Sequence, residues 1–206
     1  MSTLSPPMKR YALKLPAGSV RAIHVLGIVA LVCAILFLPK HPTIPPYLIY
    51  LLFLMLGHYF AVHGLTIATR DDPAPSPLFL PGGTVRVLII LVLGGCIGWK
   101  LYDDMDGLQA QFVASLEALK TQPWLPLAIL GGFFVGVIVR TLVSRENPPP
   151  AWQDFEAWVS LMALIGLAIA AIIHLVIEPS TEVRLMIPTW DACLGAVVAF
   201  YFGERS

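Results

Sequence analysis

Six long apolar stretches follow one another along this chain, separated by clusters of Pro, Gly and charge that interrupt helices. They run from about Ser19 to Leu38, Tyr47 to Ile67, Thr84 to Tyr102, Trp124 to Val143, Phe155 to Ile177 and Met186 to Phe202. A helix needs ~20 mainly apolar residues to cross a bilayer, so the pattern predicts an all-α integral membrane protein, a bundle of six transmembrane helices. The sixth stretch is short, with Pro188 near its start and Asp191 a turn further on. Proline is tolerated in a first helical turn and an acidic group is favoured there, which places Asp191 at the membrane interface.

Composition agrees with the pattern. Of 206 residues, 57% are hydrophobic and only 13% charged, with a mean hydropathy of +0.79, whereas soluble domains carry about 25% charged residues. Six crossings use roughly 120 residues, so 1–206 reads as a single transmembrane domain with no separate soluble one. The net charge is zero, which gives no footing for nucleic acid. Cys33, Cys96 and Cys193 all fall inside apolar runs and read as small apolar side chains, not a disulfide framework. The stretch from Met1 to Gly18 is basic and Pro-containing, and the apolar run after it is too long for a signal-peptide core, so the first helix is expected to be retained.

The basic residues set an expected orientation. With a cytoplasmic amino terminus, that side holds Lys9, Arg10, Lys14, Arg21, Arg70, Arg86, Arg140, Arg145 and Arg205, and the other holds Lys40, Lys100, Lys120 and Arg184. Nine against four satisfies the positive-inside rule, and an even helix count brings both termini to the cytoplasm.

The chain also repeats itself. Leu13, Leu15, Pro16, Gly18, Ser19, Val20 and Arg21 recur as Leu78, Leu80, Pro81, Gly83, Thr84, Val85 and Arg86, and the segment from Thr66 to Pro73 finds a counterpart in Thr141 to Pro148. This predicts three helical hairpins, about 13–73, 78–148 and 152–206, of which the first two are an internal duplication. The third lacks the lead-in. Ser19 and Thr84 suit a helix cap, and Arg21 and Arg86 suit anchoring to lipid headgroups. The competing reading of the two lead-ins is an anion site.

Between the third and fourth stretches lie Asp103, Asp104 and Asp106, followed by Leu108, Phe112, Leu116 and Leu119. The acidic cluster echoes a calcium loop, but Tyr102 and Val113 occupy the first and twelfth ligand positions. Asp106 with Gln109 reads instead as a capping box, opening a short amphipathic helix on the outer membrane face. His24 and His63 should lie at similar depths on the first two helices, a weak candidate pair for haem or proton relay; neutral histidines bonded between helices are the competing reading. Gly94 with Gly98, and Gly132 with Gly136, form small-xxx-small pairs that suit close packing within the chain or a subunit interface.

No phosphate-binding loop, zinc spacing, nucleophile elbow or Cys-x-x-Cys is present, and mid-membrane carboxylates are lacking. An enzyme or ion-coupled transporter is therefore disfavoured, and no catalytic residue, metal or cofactor is expected. The Leu-Pro-x-Gly-Ser/Thr-Val-Arg lead-ins resemble elements of small, uncharacterised bacterial polytopic membrane proteins, and the stretch from Phe200 to Ser206 resembles the ends of some phage-type holins. The resemblance implies a bacterial cytoplasmic membrane and carries over no activity. The expectation is a structural or accessory membrane subunit, in contact with lipids and with copies of itself or other membrane subunits. A small channel or facilitator is the first alternative and a haem-binding redox subunit the second.

Overall fold

The computed structural model describes residues 12–16, 18–38, 42–64, 77–80, 83–143, 149–176 and 190–205. Among these it is all-helical: α1 Ser19–Leu36, α2 Pro46–Gly64, α3 Thr84–Asp103, α4 Met105–Thr121, α5 Trp124–Val143, α6 Pro150–Val176 and α7 Trp190–Glu204. Every apolar stretch holds a helix. Four of the helices, Ser19–Leu36, Thr84–Asp103, Trp124–Leu142 and Ala151–Ile173, are long and apolar enough to cross a membrane. The apolar part of α2, Pro46–Phe60, is shorter, and α7 has 15 residues, about 22 Å at 1.5 Å per residue.

The two lead-ins fold alike. Leu13 and Leu78 both sit in the left-handed region at φ 56°, as do Lys14 and Phe79 after them, and Gly18 and Gly83 follow at φ 82° and 89°. A left-handed leucine costs about 1 kcal/mol, and each is held by a partner outside its own segment. The Leu13 N–H donates to Oδ1 of Asp154 on α6, and the Leu78 N–H donates to Oγ of Ser19 on α1 at 2.8 Å. Ser19 is therefore not the expected cap. Gly18 and Gly83 occupy the cap positions without side-chain bonds, and the Ser19 hydroxyl serves the next lead-in instead.

α1 is the central strut, with Val25, Ile28, Val29, Ile35 and Leu36 almost wholly buried. α2, α3 and α6 pack around it. Tyr47 on α2 donates to the Leu167 carbonyl of α6 at 3.4 Å, closing the far side of this layer. The tightest contact lies between two other helices. α5 and α7 meet backbone to backbone: a Cβ on Gly132 would overlap the Ala196 carbonyl, one on Gly136 the Phe200 carbonyl, and one on Gly203 the Phe133 carbonyl. Small residues allow such approach where lipid supplies no hydrophobic drive.

This packing corrects two expectations. Gly94 with Gly98 and Gly132 with Gly136 were expected on neighbouring helices of one hairpin, but α3 packs mainly on α1 and α5 mainly on α7. α4 separates α3 from α5, and the three glycines draw α5 to α7. The second correction concerns the start of α4. Its cap is Asp104, whose side chain accepts from the Gly107 N–H at 2.9 Å, not Asp106, because α3 ends at Asp103 and Asp104 is the first non-helical residue. α4 turns Leu108, Gln111 and Ser115 inward. Gln111 Nε2 donates to the Pro42 carbonyl at 2.7 Å and Ser115 Oγ accepts from the Ile44 N–H at 3.0 Å, so α4 rests on the segment before α2. Phe112 and Leu116, part of the expected apolar stripe, are exposed.

Candidate functional site

Where α1 and α6 begin and α7 ends, the polar side chains of the bundle gather. Arg205, just past the last helical residue of α7, pairs with Glu156 of α6 at 3.2 Å and with Glu204 at 3.3 Å. Its backbone carbonyl accepts from Nη1 of Arg21 at 2.9 Å, a cation placed where the negative end of a helix favours it. The Arg205 guanidinium also lies 6.0 Å from the centre of the Tyr201 ring. Two carboxylates thus share one guanidinium, and a second guanidinium caps the same helix end. Arg21 was expected to reach lipid headgroups; it bonds inward because α7 ends beside it.

A turn deeper come two imidazoles. His24 is fully buried, stacks on Tyr201 at 5.6 Å and meets Phe202 edge-on at 6.0 Å. His58 on α2 meets the same Phe202 at 5.7 Å and Phe133 at 5.8 Å. His24 Nδ1 lies 2.7 Å from the Val20 carbonyl; only an N–H can donate there, so Nδ1 carries a proton. That bond lies within the helix, and the Ser160 carbonyl of α6 also reaches the His24 ring, so the imidazole is held between helices as well. His58 Nε2 is buried without a hydrogen-bond partner among the described residues. The side chain of His63 lies outside the described residues, and the histidine that shares a partner with His24 is His58. Among the described residues, no three His, Cys, Asp or Glu side chains gather as a metal site.

Below the imidazoles the polar groups stop. Ile28, Ile35, Leu36, Leu48, Leu51, Met55 and Leu167 fill the interior, all nearly or fully buried. Two hollows lie at helix grooves: one of about 240 Å³ between α2 and α3, lined by Leu56, Phe60, Ile89, Leu93, Gly94 and Ile97, and one of about 170 Å³ between α6 and α7, where Glu156, Ser160 and Tyr201 meet Trp152 and Phe155. The cluster can tie three helix ends together. It opens onto no polar path through the bundle among the described residues.

Of the other residues singled out in the sequence, Thr84 and Arg86 are half-buried at the start of α3, and a Cβ at Gly94 or Gly98 would meet nothing within 4 Å. Gly132 and Gly136 are consumed by α7. Asp154, Glu156, Tyr201 and Arg205 were not singled out as a group; the available signal was that acidic residues open the fifth apolar stretch and a Glu-Arg pair follows the sixth, at the same expected end.

These features define an all-helical protein with several helices fit to cross a membrane and a polar clamp at one end. Comparison with protein families, curated proteins and solved structures finds no match to this chain.

Proposed function

We propose that this chain is a structural or accessory subunit of a membrane assembly, a six-crossing bundle in a bacterial cytoplasmic membrane with both termini on the cytoplasmic side. In this reading the first two hairpins descend from one duplicated unit, which the shared backbone path of the two lead-ins supports.

The observation that carries the proposal is the contrast between two glycine seams. Gly132 and Gly136 of α5 and Gly203 of α7 are spent on close packing within the chain, whereas Gly94, Gly95 and Gly98 of α3 face open space. Glycine in a helix interior costs about 1 kcal/mol relative to alanine, a cost offset when a backbone can approach. A bundle whose interior is filled by aliphatic side chains and whose one open seam looks outward is suited to assembling with other subunits. The filled interior favours this over a channel.

The test is native mass spectrometry of the protein released from its own membrane in mild detergent. An oligomer or a stoichiometric complex is expected. A clean monomer without co-purifying protein, together with solute flux in reconstituted liposomes, would replace this reading by the channel.

A further inference from the structure

The bundle contains one helix junction built twice, and its two ends are complementary. α6, α1 and α3 start at the same end of the molecule and run parallel. The Leu13 N–H ties the lead-in of α1 to Asp154 of α6, and the Leu78 N–H ties the lead-in of α3 to Ser19 of α1. Deeper along each pair the helices remain in contact: a Cβ on Gly27 of α1 would lie 3.1 Å from Leu164 of α6, and Cys33 of α1 lies 4.0 Å from the Val92 carbonyl of α3. The row therefore reads α6, α1, α3, each helix laid on the one before it.

The row stops at α3 with a receiving side exposed. Thr84 holds the place in α3 that Ser19 holds in α1. The residues seven and fourteen beyond Ser19 are Leu26 and Cys33; those beyond Thr84 are Leu91, which is 66% exposed, and Gly98, which faces open space. At the other end of the row α6 presents a ridge. Phe155, Trp158, Met162, Ile165, Ile169 and Ile172 alternate at spacings of three and four, and each is more than half exposed. That spacing is the one that seats knobs between neighbouring helices. The ridge covers eighteen residues, about 26 Å from first to last, and the seam from Thr84 to Gly98 fifteen, about 21 Å; the ridge is bulky where the seam is floored by glycine.

We propose that α3 of one copy receives α6 of a second copy, parallel and head to tail, so that the row continues as α6, α1, α3, α6, α1, α3 through the membrane. The proposal rests on the reading of the chain as an assembling subunit and names its partner as the chain itself. Such an interface uses two different faces, so it closes into a ring or runs on as a row and does not stop at a two-fold dimer.

Cross-linking between two differently tagged versions tests it, both carrying Cys33→Ala, Cys96→Ala and Cys193→Ala. One adds Leu91→Cys, the other Met162→Cys, each seven residues into its face. Co-expressed and treated in membranes with a short bis-maleimide, they are expected to give a dimer bearing both tags, while neither version links to itself. A chain carrying both cysteines should give a ladder. Gly98→Leu, at a position where an added Cβ meets nothing within 4 Å in its own chain, should leave the fold intact and abolish the ladder. Self-linking of the Leu91→Cys version, or a native oligomer without the Leu91→Cys to Met162→Cys link, overturns this interface and leaves the accessory-subunit reading standing. A monomer in native mass spectrometry overturns both.

Discussion

α1 and α3 start with closely similar residues and the same backbone path, yet 61% of the membrane-spanning stretch of α1 is buried inside the structure against 17% of that of α3. Their lead-ins share a left-handed leucine, a left-handed glycine and an Arg two residues into the helix. What separates them is what comes next to them. α1 has α2, α3 and α6 around it, while α3 packs mainly on α1, with a smaller contact to α4. The local sequence determines how a helix begins; the number of helices laid against it determines what its side chains do.

The largest effect expected from that contrast lies in the glycines. Gly132→Leu drives a side chain into the α7 backbone and should destabilise the fold by about 3 kcal/mol or more, enough to separate α5 from α7. A Cβ at Gly94 on α3 meets no atom within 4 Å and the position borders a hollow, so Gly94→Leu should be neutral to slightly stabilising, because leucine forms helix better by roughly 0.7 kcal/mol. Unfolding titrations in mixed micelles, followed by tryptophan fluorescence, separate the two. Equal destabilisation would mean that α3 is not open.

The polar clamp gives the next effect. Arg205→Ala removes the guanidinium that faces Glu156, whose side chain is only 6% exposed, leaving a carboxylate with little solvent. Loss of one partner of a buried pair costs about 3–5 kcal/mol; Arg205 is itself 25% exposed, so about 2–3 kcal/mol is expected here. Arg86→Ala, at the matching place in α3 to Arg21, breaks no ion pair among the described residues and should change stability by less than about 0.5 kcal/mol. The same titration reads both variants. A large loss from Arg86→Ala would show that α3 carries a clamp of its own.

The helices themselves were legible because a run of ~20 apolar residues has few other solutions, and α1, α3 and α5 begin at the residues where their apolar stretches begin. Pairing was much less legible. Adjacent stretches suggest hairpins, but α5 finds α7 through Gly132, Gly136 and Gly203, a fit visible only once two backbones are side by side. Ser19 has the chemistry of a cap, and nothing local reveals that its hydroxyl will be claimed by Leu78, 59 residues away. The clamp was hidden for the same reason, since Glu156 and Arg205 lie 49 residues apart. His24 was visible as a buried polar group, but its neighbours Tyr201 and Phe202 come from the last helix.

A smaller contrast tests the docking of one lead-in on the next helix. Ser19→Ala leaves the Leu78 N–H, in a part-buried place, without its acceptor, and an unsatisfied backbone donor costs about 1–2 kcal/mol. Thr84→Ala removes a hydroxyl that accepts from no lead-in among the described residues and should cost a few tenths of a kcal/mol, within the ~0.5 kcal/mol of ordinary surface changes. Faster amide exchange at Leu78 in the Ser19→Ala protein would locate the loss.

The finest test asks whether the lead-ins are as alike in energy as in shape. Gly18→Ala and Gly83→Ala each place a Cβ at a φ of 82° or 89°, where an L residue is strained by roughly 1 kcal/mol. Gly83 has no neighbouring atom that a Cβ would meet within 4 Å, so there the penalty is backbone strain alone. The two variants should therefore lose similar stability, within about 0.5 kcal/mol of one another, although one lies beside a buried helix and the other beside an exposed one. A clearly larger loss at Gly18 would mean that its surroundings hold that turn more rigidly. Burial would then reach back to the first residue of the helix, and α1 and α3 would differ from their beginnings.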